Sequence, residues 1–155
     1  MEINDLISSE VVVANLKATS KKQVLQDLSR RASDATGLQE RIIFDVIMDR
    51  ERLGTTGVGN GVAIPHGKLP ELERLHGIFA RLEQPVDFQA IDERPVDLIF
   101  LLLAPDSAGA DHLKALAKVS RILRDGGICK KLRGTDTSDA LYAILTGSVD
   151  HEAAQ

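Results

Sequence analysis

Val96 to Ala104 reads VDLIFLLLA, nine residues in which only Asp97 is polar. A strand with one face in water alternates apolar and polar side chains, whereas a run apolar at every position has both faces to bury. The stretch therefore reads as the central strand of a sheet covered by helices on each side, and it decides the fold class.

On either side of this run the hydrophobic period switches repeatedly between strand and helix. Glu10 to Leu16 (EVVVANL) reads as a strand. Ser20 then caps a helix whose Val24, Leu25, Leu28 and Ala32 share one face and which Gly37 closes. A second helix in QERIIFDVIMDRER carries Ile42, Ile43, Val46 and Ile47 as its apolar stripe and ends at Gly54. GTTGVGNG follows as a loop, GVAI as a short strand stopped by Pro65, and residues 75–82 (LHGIFARL) as a further strand. The polar segment Glu83 to Pro95 is a connection and not a domain boundary. Beyond Pro105, a helix with Asp111 as its N-cap places Leu113, Leu116, Ala117 and Leu123 at helical spacing, and Thr137 to Leu145 forms a last helix ending at Gly147. Strands alternating with helices predict an α/β fold, a three-layer α/β/α sandwich around a mixed sheet of four or five strands.

Composition limits the functions such a fold can serve here. With 155 residues, 43% of them apolar, the chain has the size of one domain, with a core at about residues 4–146 and a short polar C-terminal tail. A formal charge of -4 and a pI near 5.5 give no basic footprint for nucleic acid. The single Cys129 allows no intrachain disulfide and reads as a small buried apolar group. MEINDLISSE lacks the basic and apolar regions of a signal peptide, and no apolar run approaches the roughly 20 residues that span a bilayer. The expectation is a cytoplasmic chain. No His, Cys, Asp and Glu spacing matches a zinc or EF-hand motif, so neither a metal nor any other cofactor is expected.

The glycines at 54, 57, 59, 61 and 67 suggest a nucleotide loop, but their spacing excludes one. Five residues separate Gly61 from Gly67 where a P-loop has four, Lys68 is followed by Leu69, and a helix precedes the loop. The dinucleotide fingerprint fails as well, since these glycines lie before a strand and not after one. Two readings stay open: plain turns, or backbone N–H groups gathered into an anion-holding concavity.

Three side chains are candidates for chemistry. His66, between Pro65 and Gly67, is expected on a rim at a strand end, either idle or as a nucleophile. His112 falls in the first turn of a helix that follows the central strand, where anions are favoured; its alternative is a polar position on the exposed side. Arg50 lies in the last turn of the helix feeding the glycine loop, placed either to bind phosphate or to complement the helix dipole, with Arg52 competing for both roles. His76, at a strand start, and His151, in the polar tail, carry no such signal.

RERLGTTGVGNGVAIPHGK, followed by PVDLIFLLLAP and DHLKALAKVSRIL, resembles the fructose/mannitol-type enzyme IIA domains of the bacterial phosphoenolpyruvate-dependent phosphotransferase system, over about residues 4–146. The free-standing chain and its motif wording are most similar to the nitrogen-related, regulatory enzyme IIA. The resemblance implies that His66 is phosphorylated on Nε2 (the tele nitrogen), that His112 positions the phosphoryl group and that Arg50 balances its charge. Backbone groups of Thr55, Thr56, Gly57, Gly59 and Asn60 are expected to complete a phosphate loop. It also implies an HPr-type phosphocarrier upstream, charged by an enzyme I. Downstream it implies regulatory protein targets such as potassium-handling proteins or sensor kinases, with no nucleic acid and no membrane insertion. The alternative is a sugar-transport enzyme IIA passing its phosphate to a fructose/mannitol-type IIB.

Overall fold

The structure, a computed structural model, describes residues 2–147. Its centre is β6 (Val96–Ala104), the stretch on which the fold was read. Side chains alternate along it: Ile99, Leu101 and Leu103 enter one core, and Leu98, Phe100 and Leu102 the other. All six are at most 1% exposed, so neither face of the strand meets water. Each such side chain contributes roughly 1.5–3 kcal/mol on burial.

One core lies under α1 (Lys21–Thr36) and α2 (Glu40–Leu53). The other lies under an N-terminal 3-10 turn (Ile3–Asp5), α3 (Ala110–Arg124), α4 (Gly126–Arg133) and α5 (Ser138–Thr146). Three layers result, α/β/α. Ser20 caps α1 by accepting from the Gln23 N–H, and Gly37 ends it in the left-handed conformation. None of the described helices is long and apolar enough to cross a membrane.

The sheet contains β1 (Val12–Leu16), β2 (Gly57–Gly59), β3 (Val62–Ala63), β4 (His66–Lys68), β5 (His76–Val86) and β6. Its order is β1-β5-β6-β3-β2, with β4 also on β6. β5 runs antiparallel to β6, while β1 is parallel to β5 and both β3 and β4 are parallel to β6. The sheet is mixed, as expected, but has six paired segments where four or five strands were anticipated. The difference lies in the glycine loop, part of which pairs as β2, and in a strand that Pro65 interrupts without ending. Val62 pairs with Leu98 and His66 with Leu102, so the register continues unshifted through Ile64 and Pro65. The Leu102 N–H donates to the Pro65 carbonyl at 2.9 Å, and proline's missing N–H leaves only a gap in the ladder.

Other sequence expectations shift locally. Residues 9–11 form a 3-10 turn before β1, and β5 runs on to Val86 past an irregularity in its pairing with β6. Helix α4 was not anticipated; it is short, begins with two glycines, and is capped by the Asp125 carboxylate accepting from the Gly127 and Ile128 N–H groups. On α3 Leu123 is buried as expected, but the rest of the buried face is His112, Ala115 and Val119 in place of Leu113, Leu116 and Ala117, and Leu113 is 69% exposed. Counting His112 as polar hid the true phase. Ile42 of α2 likewise stands 41% exposed, leaving Ile43 and Ile47 to face the sheet.

Candidate phosphoryl-acceptor site at the sheet edge

β4 is where the two helical layers can meet, because β2 pairs with β3 and stops short of it. His66 opens β4 on the same strand face as Val62 and Ile64, both in the α3-side core. It is half-buried and within a strand, not on the loop rim that the flanking proline and glycine suggested.

Each ring nitrogen of His66 has a defined partner. Nδ1 lies 3.0 Å from the Ile64 carbonyl oxygen, which can only accept, so Nδ1 carries the proton. Nε2 then keeps its lone pair, and Arg50 Nε donates to it at 3.3 Å. Arg50 also donates through Nη1 to the Gly54 carbonyl at 2.9 Å, at the end of α2. Arg50 is thus a cation on the helix terminus, as one of its two readings had it, and it also contacts His66. Arg52 is engaged elsewhere, paired with Asp49 at 2.8 Å in solvent.

His112 approaches from the opposite layer. Its ring meets that of His66 edge to face, with centroids 5.8 Å apart and planes at 69°. It occupies the first turn of α3, as expected, but it is buried, 6% exposed, and not on the outer side. Asp111 is not the N-cap. Gly109, at φ 54°, turns the chain out of a 3-10 segment (Asp106–Ala108) and takes that position, leaving Asp111 within the helix. The buried His112 Nε2 has no hydrogen-bond partner among the described residues. An unmade hydrogen bond of this kind costs roughly 1–3 kcal/mol.

Both imidazoles sit below the ordinary histidine range. Burial is the main cause for His66, with Arg50 adding to it, while the Ile64 hydrogen bond and the Glu51 carboxylate oppose it. Burial again leads for His112, followed by the charges of His66 and Lys68. Two neutral rings at neutral pH, one whose Nε2 lone pair faces the Arg50 guanidinium and one with an unpaired nitrogen, can accept an electrophile and hold an anion.

The glycine loop engages several of its backbone donors within the protein. The Thr56 N–H donates to Glu51, the Gly57 N–H to Thr55 Oγ1, and the Asn60 N–H to Asp92. Gly59 pairs with Val62, opposite Leu98, four residues along β6 from His66's partner Leu102, about 13 Å at the rise of a strand. Gly57, Gly59 and Asn60 therefore run away from the imidazole. The Thr56, Gly57 and Asn60 N–H groups of the loop thus each have an acceptor within the protein. The Thr55 hydroxyl is engaged too, donating to the Phe88 carbonyl at 2.8 Å.

Sequence reasoning missed the residues that hold this loop. Glu51, with its side chain 2% exposed, pairs with Lys21 Nζ at 2.6 Å and also accepts from the Thr56 hydroxyl. The available signal was its misfit, a carboxylate in the last turn of a helix where the dipole favours cations. At the far end, Arg133 grips Asp97 and donates to the Asn60 carbonyl at 2.7 Å. His76 heads β5 and also titrates low, through burial and then Arg74. His151 lies outside the described residues. Cys129 is buried, as expected, and its thiol is held high by burial. Among the described residues, no three His, Cys, Asp or Glu side chains are grouped to hold a metal.

Comparison with known proteins gives the arrangement its context. Residues 5–148 match the family model of the phosphoenolpyruvate-dependent sugar phosphotransferase system, EIIA 2. A nitrogen regulatory protein of Bradyrhizobium diazoefficiens is 57% identical over 145 residues, covering 94% of this chain and 95% of that protein. One from Escherichia coli is 40% identical over 147 residues, covering 94% and 90%. The crystal structure of nitrogen regulatory protein IIA-Ntr from Neisseria meningitidis superposes with a TM-score of 0.89 at 33% identity, covering 93% of this chain and 99% of that one. A match over nearly the whole chain, in sequence and in fold, means that this protein belongs to the EIIA type 2 family of the phosphotransferase system.

Proposed function

We propose that the chain accepts a phosphoryl group on His66 Nε2 from the phosphohistidine of an HPr-type carrier, itself charged by an enzyme I, and that the phosphorylated and free forms bind regulatory proteins differently. The observation that carries the reading is the fixed tautomer: Nδ1–H is committed to the Ile64 carbonyl and the Nε2 lone pair faces Arg50. The nitrogen-regulatory relatives support a regulatory output over delivery to a sugar-specific IIB, and a cytoplasmic setting goes with such a carrier.

In the transfer, Nε2 forms a bond to phosphorus as the bond to the donor's ring nitrogen breaks, the electron pair returning to the donor. The transition state is loose, with charge spread over three equatorial oxygens, so catalysis is mostly positioning and electrostatics. Arg50 moves its donor from Nε2 to a phosphoryl oxygen, and its planar fork and permanent charge suit that exchange. His112 donates to a second oxygen through the Nε2 that now lacks a partner. The product carries close to two added negative charges at a half-buried surface position, enough to attract or repel a docked protein without refolding the domain.

Incubation with phosphoenolpyruvate, enzyme I and an HPr-type carrier should add one phosphate by mass. His66→Ala should remove it, and labelling that survives this substitution would overturn the assignment.

A further inference from the structure

Glu51 is an ionised side chain in a place that disfavours one. It is buried and lies at the C-terminal end of α2, where the dipole opposes an anion. An apolar pair in place of Lys21 and Glu51 would remove both burdens, since replacing a buried ion pair by packed hydrophobic groups is often neutral or stabilising. Stability alone therefore does not account for the carboxylate.

Its contacts lead to the acceptor ring. Glu51 accepts from the Thr56 N–H at 3.1 Å and from the Thr56 hydroxyl, while Lys21 balances its charge and donates onward to the Phe88 carbonyl. The Thr56 carbonyl accepts the Ile64 N–H at 3.0 Å. The Ile64 carbonyl in turn accepts His66 Nδ1–H at 3.0 Å. One chain of hydrogen bonds thus joins the last turn of α2 to the nitrogen that fixes the tautomer. Arg50, next to Glu51 in sequence, reaches the other nitrogen of the same ring.

We propose that Glu51 is a positioning residue for phosphoryl acceptance: it holds Thr56, and through it the Ile64 carbonyl, so that His66 keeps its proton on Nδ1 and its lone pair on Nε2. The proposal rests on His66 being the acceptor. The charged and titratable groups around the ring are Arg50 and Glu51 from α2, His112 from α3, and Lys68 of β4 acting through His112. Of these, Glu51 alone favours the protonated ring, so removing its charge moves the acid limb of acceptance to lower pH.

The test uses the full chain with Glu51→Gln and, separately, the double variant Lys21→Met with Glu51→Leu. Each is followed by phosphate acceptance from the HPr-type carrier across pH and by nitrogen NMR of the unphosphorylated His66 ring. Glu51→Gln should accept phosphate about tenfold more slowly, the loss expected of an acceptor held less well. Its His66 nitrogens should show a mixture of tautomers, and its acid limb should lie lower. The double variant should be at least as stable as Glu51→Gln and still slow, and it carries the test if the single variant does not fold. Wild-type rate and ring signals in either folded variant would overturn the proposal. If the unmodified chain takes no phosphate, the acceptor reading fails, and the ring signals alone then decide whether Glu51 holds the tautomer.

Discussion

At the residue scale, the two imidazoles set the pH response. Under the proposed function acceptance needs a neutral His66, and its protonation falls below the ordinary value of 6.5 because burial, with Arg50 adding to it, outweighs the Ile64 and Glu51 contributions. The rate should therefore be flat at neutral pH and fall only as pH drops below that value, which an acceptance profile checks; an acid limb above it contradicts the burial argument. Stability follows the same sign. A histidine lowered on folding binds more protons when unfolded, so its contribution is complete above 6.5 and is lost as pH falls through the lowered folded value. His112→Ala should slow transfer about a hundredfold, the cost of one donor to a developing charge, while leaving His66 able to accept. Complete loss of labelling in the folded variant would assign His112 more than positioning. These residues were legible in the sequence, each in a local setting with a chemical meaning. Glu51 was not: a carboxylate in the last turn of a helix is the one mark it leaves in the sequence, and its burial shows only in the fold.

At the element scale, β4 and α2 must lie close for Arg50 to reach His66. Gly67 permits that approach: a Cβ there would stand 2.6 Å from Val46 Cγ1 of α2. Gly67→Ala should push β4 off α2 and destabilise the fold by about 1–3 kcal/mol, the usual cost of overpacking. Adding Val46→Ala should restore much of the loss, measured by denaturant unfolding, and a double variant no better than the single would place the strain elsewhere. VDLIFLLLA revealed the layers because burial on both faces leaves its mark on every residue of a strand. The continuity of β3 and β4 left no such mark, since a proline reads as a stop although one missing N–H only interrupts the ladder. Helix α4 escaped for a related reason, as Gly126 and Gly127 read as a break in the chain although they open a helix that Asp125 caps.

At the scale of the whole molecule, the site draws on all three layers: Arg50 from one helical face, His66 from the sheet and His112 from the other face. Under the proposed function a donor presents its phosphohistidine at this seam, so the surface around the seam has to bind it. Leu53, three residues after Arg50, is 86% exposed, and Leu113, beside His112, is 69% exposed. Exposed apolar side chains on both sides of a reacting group suit a partner that docks and leaves. Ile91 is 74% exposed too, but it follows Val86, which pairs with Val96 at the start of β6, whereas His66 pairs near its end. Leu53→Ser and Leu113→Ser should each raise the apparent KM for the carrier, by up to about tenfold, with kcat nearly unchanged, because they remove binding common to ground and transition states. Ile91→Ser should leave both constants alone. A fall in kcat at constant KM would instead assign the leucines to holding Arg50 and His112, and an effect of Ile91→Ser equal to theirs would move the docking surface to the other end of the sheet.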